Sequence, residues 1–124
     1  MTITGTQIYP QRFNTGETKI DLAYSDTTPG QNIYIQPGPV LVYRIIAVVM
    51  SAVNGTSLTI SIKDGSTVVG TIVVAAGTAD TYAYTELATP VAVDATGTGI
   101  LTAVVTTNTG SVTTGVVKLM VQYL

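Results

Sequence analysis

The sequence predicts an all-β chain: an antiparallel β-sandwich of eight or nine strands, jelly-roll-like, preceded by an extended amino-terminal arm. Three observations carry this expectation. Short β-branched runs alternate apolar with polar residues, and no stretch of the 124 residues sustains a helical period. Gly, Pro, Asn and Asp punctuate those runs at short intervals, as closely spaced turns require. Threonine is the commonest residue, and its branched Cβ suits a pleated, half-buried surface. At this length one domain can bury roughly two-thirds of its unfolded surface, so a core is available without staples. The division expected is an arm over 1–16 and one sandwich over 17–124.

Residues 18–24 (TKIDLAY) set Ile20, Leu22 and Tyr24 against Lys19 and Asp21. A short run follows at 32–36 (NIYIQ) and a long one at 40–52, beginning VLVYRIIAVVM. The long run is too short for a membrane-spanning helix, which needs about 20 apolar residues. Asn54-Gly55 predicts a two-residue type I′ hairpin joining it to 57–63 (SLTISIK), since both central positions need positive φ. That register gives Leu41, Tyr43, Ile45, Ala47 and Val49 one face with Leu58, Ile60 and Ile62. Val42, Arg44, Ile46, Val48 and Met50 then form the opposite face, beside Thr59 and Ser61. An odd-numbered loop, Lys63-Asp64-Gly65, leads into 67–74 (TVVGTIVV) and places Ile60 opposite Val68, with Ile72 and Val74 inward and Thr67 and Thr71 outward. Further strands are expected at 81–87, 91–94, 100–107 and 115–123. In the last, Val117, Leu119, Val121 and Tyr123 oppose Lys118 and Gln122, and the chain end is tied into the sheet. The Gly/Thr-rich turns at 75–80, 95–99 and 108–115 are expected to cluster at one end.

Composition narrows the function. Charged residues make up 10% of the chain, against roughly 25% in ordinary soluble domains. Such a surface carries little charge repulsion against close neighbours. The net charge of −2, with Arg12, Lys19, Arg44, Lys63 and Lys118 scattered, offers no basic stripe for nucleic acid. The amino terminus has neither the basic segment nor the apolar region of a signal peptide, and no membrane partner is expected. There is no Cys for a disulfide or thiolate, and no His, the commonest general base and metal ligand. The serines sit outside any nucleophile elbow, and the seven carboxylates form no calcium-loop spacing. Two carboxylates could in principle converge on a glycoside, and Asp80 with Asp94 on a cation, but Asp64 is explained by its turn and Asp21 by an outer strand face. Asn54-Gly55-Thr56 matches a glycosylation acceptor, though its turn role suffices. Neither enzyme activity nor any cofactor or metal is expected.

What stands out is the row Val42, Arg44, Ile46, Val48, Met50, four large apolar side chains around one cation on a face that should be polar. Contiguous exposed apolar surface marks an interaction site. Either another part of the same chain covers it, or a neighbouring subunit does, with the planar fork of Arg44 bridging to a carboxylate or carbonyl. The arm poses the same choice, because Ile8, Tyr9, Arg12 and Phe13 fit either a first strand of the domain or a reach across a neighbour.

Taken together, the possible arm TGTQIYPQRF, the run at 40–50 and the Thr/Gly-rich strands to the end resemble the decoration, or cement, proteins of tailed-bacteriophage capsids. The resemblance covers most of the chain but includes no diagnostic motif. It implies a non-enzymatic protein of the virion's outer surface, made in the host cytoplasm. Such proteins form small homo-oligomers, often trimers, that bridge subunits of the major capsid protein and stabilise the shell. An acidic chain suits an outer surface better than a DNA-facing one. The alternative is a carbohydrate- or receptor-binding sandwich of a fibre or adhesin, with Tyr34, Tyr82 and Tyr84 stacking on sugar rings. Against it, the chain has no Trp and 6% aromatic residues.

Overall fold

The computed structural model describes residues 16–35, 39–93 and 99–124. The arm proposed for 1–16, and with it Ile8, Tyr9, Arg12 and Phe13, lies outside the described residues except for Gly16.

Eight strands run through the described residues: β1 Gly16–Ala23, β2 Gln31–Tyr34, β3 Val40–Ser51, β4 Val53–Asp64, β5 Thr67–Gly77, β6 Tyr82–Val93, β7 Ile100–Thr109 and β8 Val116–Tyr123. They form two four-stranded antiparallel sheets, ordered β1-β8-β3-β6 and β2-β7-β4-β5. The chain changes sheet at every connection except β4–β5, the connectivity of a jelly roll. The all-β sandwich expected from the sequence is therefore the fold observed.

Alternation places the core between the sheets. Val117, Leu119 and Val121 of β8 are fully shielded, as are Ile45 and Ala47 of β3, Ile60 and Ile62 of β4 and Leu101 of β7. Each buried Leu or Ile contributes about 1.5–3 kcal/mol relative to an exposed one. The last residue is tied in, with Leu124 N donating to Leu41 O at 2.8 Å.

Four local expectations are corrected. First, β3 and β4 do not pair: β3 lies between β8 and β6, while β4 lies in the other sheet. Their inward faces meet across the sandwich instead of side by side, which the same alternation permits. Asn54 lacks the positive φ that a type I′ turn needs; Gly55 alone has it, at 71°. Gly55 makes a bulge, for between Val53 and Ser57 the register against β5 slips from Gly77 to Ala75.

Second, the register of β3 shifts between Val42 and Arg44. That bulge reverses the parity of its amino-terminal half. Val42 points into the core with no exposed surface, whereas Leu41 is 40% exposed and Tyr43 half-buried. Val42 is thus a core residue and not part of the outer row, and Leu41 and Tyr43 are not core.

Third, β4 turns into β5 through Gly65 and Ser66, with Asp64 opposite Thr67. A bulge at Ile62/Lys63 then pairs Ile60 with Ile72 instead of Val68. Ile72 and Val74 are buried and Thr67 and Thr71 exposed as expected, but Val69 is buried and Val68 exposed.

Fourth, 81–87 and 91–94 are one strand, β6, which runs through Pro90. Proline is tolerated there because β6 is an edge, where no ladder donor is required on the open side.

The 77–81 turn and the 108–115 loop lie at one end of the sandwich, beside the start of β4. Gly99 lies at the other end, where its O accepts from Ile35 N at 2.8 Å, and the rest of the turn expected at 95–99 lies outside the described residues. The 108–115 loop is closed by side-chain amides: Asn108 Nδ2 donates to Val112 O at 2.8 Å, and Val112 N donates to Asn108 Oδ1 at 2.7 Å. Among the described residues no helix is long and apolar enough to cross a membrane.

Candidate interaction face

The site builds outward from β3, the central long strand of the β1-β8-β3-β6 sheet. Past its bulge, Ile45, Ala47 and Val49 point inward, and alternation turns Arg44, Ile46, Val48 and Met50 outward. Their neighbours are not Thr59 and Ser61, which lie in the other sheet, but residues of β8 and β6.

Register arranges the face in three ranks running β1, β8, β3, β6. The first is Glu17, Gln122, Arg44, Glu86; the second is Lys19, Met120, Ile46, Tyr84; the third is Asp21, Lys118, Val48, Tyr82. Charge sits along β1, in the first rank and at Lys118 of the third, while Met120, Ile46 and Val48 form an apolar centre that continues to Met50, 48% exposed, and Tyr82, 69% exposed.

Three of the chain's five cations occupy this face, and each meets a carboxylate on it. Arg44 Nη2 donates to Glu86 Oε1 at 3.0 Å, Lys118 Nζ to Asp21 Oδ1 at 2.9 Å, and Lys19 lies 3.6 Å from Glu17. The face is therefore neutral: Glu17, Asp21 and Glu86 balance Lys19, Arg44 and Lys118. Pairs this exposed contribute little to folding, typically 0–1 kcal/mol each. Their consequence is for recognition, since a partner meets no unbalanced charge to desolvate.

Two atoms in the first rank stand apart. Arg44 Nε and Gln122 Oε1 are shut off from solvent and have no hydrogen-bond partner among the described residues. One is a donor and the other an acceptor, on register partners of adjacent strands. Gln122 Nε2 is meanwhile held by Glu17 Oε2 at 2.8 Å. The Arg44 guanidinium also lies over the Tyr43 ring, 5.8 Å from its centroid, a cation–π distance that the bulge makes possible.

A shallow depression of 300 Å³ opens between Arg44, Ile46, Tyr82 and Glu86. A second, of 290 Å³, runs along the seam between edge strands β5 and β6, with Val49, Val73, Thr81 and Tyr82 on its walls. Tyr82 borders both.

No family model and no curated protein matches the chain. It is similar to a solved structure described as "Bacillus endospore appendages form a novel family of disulfide-linked pili", with 19% identity over 88% of this chain and 85% of that one, at a TM-score of 0.38. So loose a superposition carries no argument about function.

Of the residues singled out by sequence, Arg44, Ile46, Val48 and Met50 come together on one face, joined by Tyr82 and, in backbone register, by Tyr84 opposite Ile46. Val42 leaves the set for the core. Tyr34 is 65% exposed but sits on β2 of the other sheet, so the three tyrosines do not form one stacking platform. Glu86, Met120, Lys118 and Gln122 were not grouped with Arg44 by sequence. Alternation on β8 did mark Lys118 and Gln122 as outward, but only the crossed strand order brings β8 and β6 to either side of β3.

Proposed function

We propose that this protein is a non-enzymatic structural subunit of a viral capsid, a decoration protein that binds the shell as a small homo-oligomer and bridges subunits of the major capsid protein. One observation carries the reading: the outer face of the β1-β8-β3-β6 sheet has an apolar centre, Met120, Ile46 and Val48, framed by ion pairs that already neutralise one another. A face built for water would place unpaired charge at its centre. A face built for a charged ligand would leave some of that charge unanswered. This one suits burial against another protein surface.

The orphaned Nε–H of Arg44 and carbonyl oxygen of Gln122 support the same reading, because a seated partner that turns the Gln122 amide can close or replace that pair. Bridging stabilises a shell by mass action, since contacts that exist only in the assembled state favour it. A sugar-binding module is less well supported: Tyr82 borders a depression, but Tyr34 is on the opposite sheet.

Light scattering coupled to size-exclusion chromatography, followed by co-sedimentation with empty tailed-phage capsid shells lacking their decoration protein, tests the proposal. A closed oligomer that pellets with shells and raises their melting temperature is the expected result. A monomer that ignores shells but is retained on a glycan array overturns it.

A further inference from the structure

The Asn54-Gly55 dipeptide, which does not form the hairpin turn its sequence suggests, is left without that role. We propose that Asn54 is a fold-gated deamidation site, kept unreactive by the 108–115 loop and converted when that loop opens. The chemistry is internal. The backbone nitrogen of Gly55 attacks Cγ of the Asn54 carboxamide, a C–N bond forms, and Nδ2 leaves as ammonia with the displaced proton. Water then opens the five-membered imide at either carbonyl, giving aspartate or isoaspartate. Glycine at the second position favours the attack because no Cβ hinders the nitrogen or restricts its backbone.

Three hydrogen bonds fix the carboxamide to the 108–115 loop, so it is free to turn toward that nitrogen only when the loop lets go. Asn54 Oδ1 accepts from Thr113 N at 2.8 Å and from Thr114 N at 3.1 Å, and Asn54 Nδ2 donates to Thr113 Oγ1 at 2.9 Å. A fourth bond, from Thr114 Oγ1 to Ala52 O at 3.1 Å, fastens the same loop to the residue that links β3 to β4. The loop's shape depends in turn on Asn108, whose amide bridges Val112 N and O. Both the site and the 113–114 segment are at the surface, so water reaches the imide once it forms. The isoaspartate product inserts a methylene into the main chain and moves the side chain off Thr113 and Thr114. Conversion to isoaspartate thus unfastens the loop for good, whereas the aspartate product keeps an oxygen that can accept from Thr113 N and Thr114 N.

The test follows Asn54 by peptide mass spectrometry while the full chain is incubated at mildly alkaline pH, native and in urea. The folded chain is expected to convert at least about tenfold more slowly than the unfolded one, with protection set by local opening. Asn108→Ala, checked for folding by circular dichroism, is expected to speed conversion in the native state. Equal rates in native and unfolded wild-type chain overturn the proposal, whatever Asn108→Ala does. If the wild type is protected but a folded Asn108→Ala converts no faster, gating by the 108–115 loop is overturned.

Discussion

Arg44 on β3 and Glu86 on β6 are register partners whose side chains meet at 3.0 Å, although 42 residues of sequence separate them. The pair closes the polar rank of the outer face, and it does so on an edge strand where Glu86 is largely exposed. Its stabilising effect on the monomer is therefore small and its position at the border of the apolar centre is what distinguishes it.

Arg44→Ala is expected to lower unfolding free energy by about 1 kcal/mol or less, within the range of exposed ion pairs. Urea denaturation measures this as a small fall in midpoint at constant slope. The same variant is expected to lose oligomerisation or shell binding, because Glu86 is then left unpaired against the partner. Reversing the pair, Arg44→Glu with Glu86→Arg, is expected to keep monomer stability and restore binding only in part.

Tyr82 offers a cleaner separation of folding from recognition. Its ring is 69% exposed, and it borders both surface depressions. Tyr82→Ala is expected to shift stability by no more than about 0.5 kcal/mol, as for surface positions generally. Large aromatics that become buried in an interface cost about 2 kcal/mol or more when truncated. A drop of tenfold or more in shell affinity with an unchanged thermal midpoint is the expected outcome, read by co-sedimentation titration.

The outward row of β3 could be read from sequence because alternation is a local property. Ile45, Ala47 and Val49 face the core, and Arg44, Ile46 and Val48 face away, as the pattern required. What lay beside that row could not be read. Alternation is the same whether β4 pairs with β3 or packs across from it, and in a jelly roll the strands flanking β3 come from the far end of the chain. Bulges were the second obstacle. One extra residue near Tyr43 exchanged Leu41 for Val42 in the core, and nothing in VLVYR marks it. Gly55 was correctly expected to take positive φ, but in a bulge instead of a hairpin turn.

That bulge can be tested with two valines on the same strand. Val42 is fully buried and Val48 half-buried on the outer face. Threonine nearly matches valine in shape but brings a hydroxyl, whose burial without a partner costs about 1–3 kcal/mol. Val42→Thr is expected to lose about that amount, while Val48→Thr stays within about 0.5 kcal/mol of wild type. Paired urea melts read the difference, and equal losses at the two sites would mean that β3 keeps one parity along its length.

Gly55 and Gly65, expected in a two-residue turn and an odd-numbered loop respectively, should respond differently to a methyl group. Gly55 has φ 71° and Gly65 has φ 64°, so alanine is strained at either position. Left-handed backbone costs an alanine roughly 1–2 kcal/mol. At Gly65 a Cβ would meet nothing within 4 Å, so that strain is the whole cost. At Gly55 the added carbon would lie 2.7 Å from Gly110 O and 2.8 Å from Val112 Cγ2, inside the loop that Asn54 and Asn108 fasten. Backbone must move there, so Gly55→Ala is expected to lose clearly more stability than Gly65→Ala. It is also expected to raise amide exchange at Val112 and Thr113, because displacing the loop breaks the Asn108 and Asn54 hydrogen bonds together. Gly65→Ala should leave exchange at those amides unchanged, and hydrogen exchange read by NMR on both variants distinguishes a displaced loop from simple backbone strain.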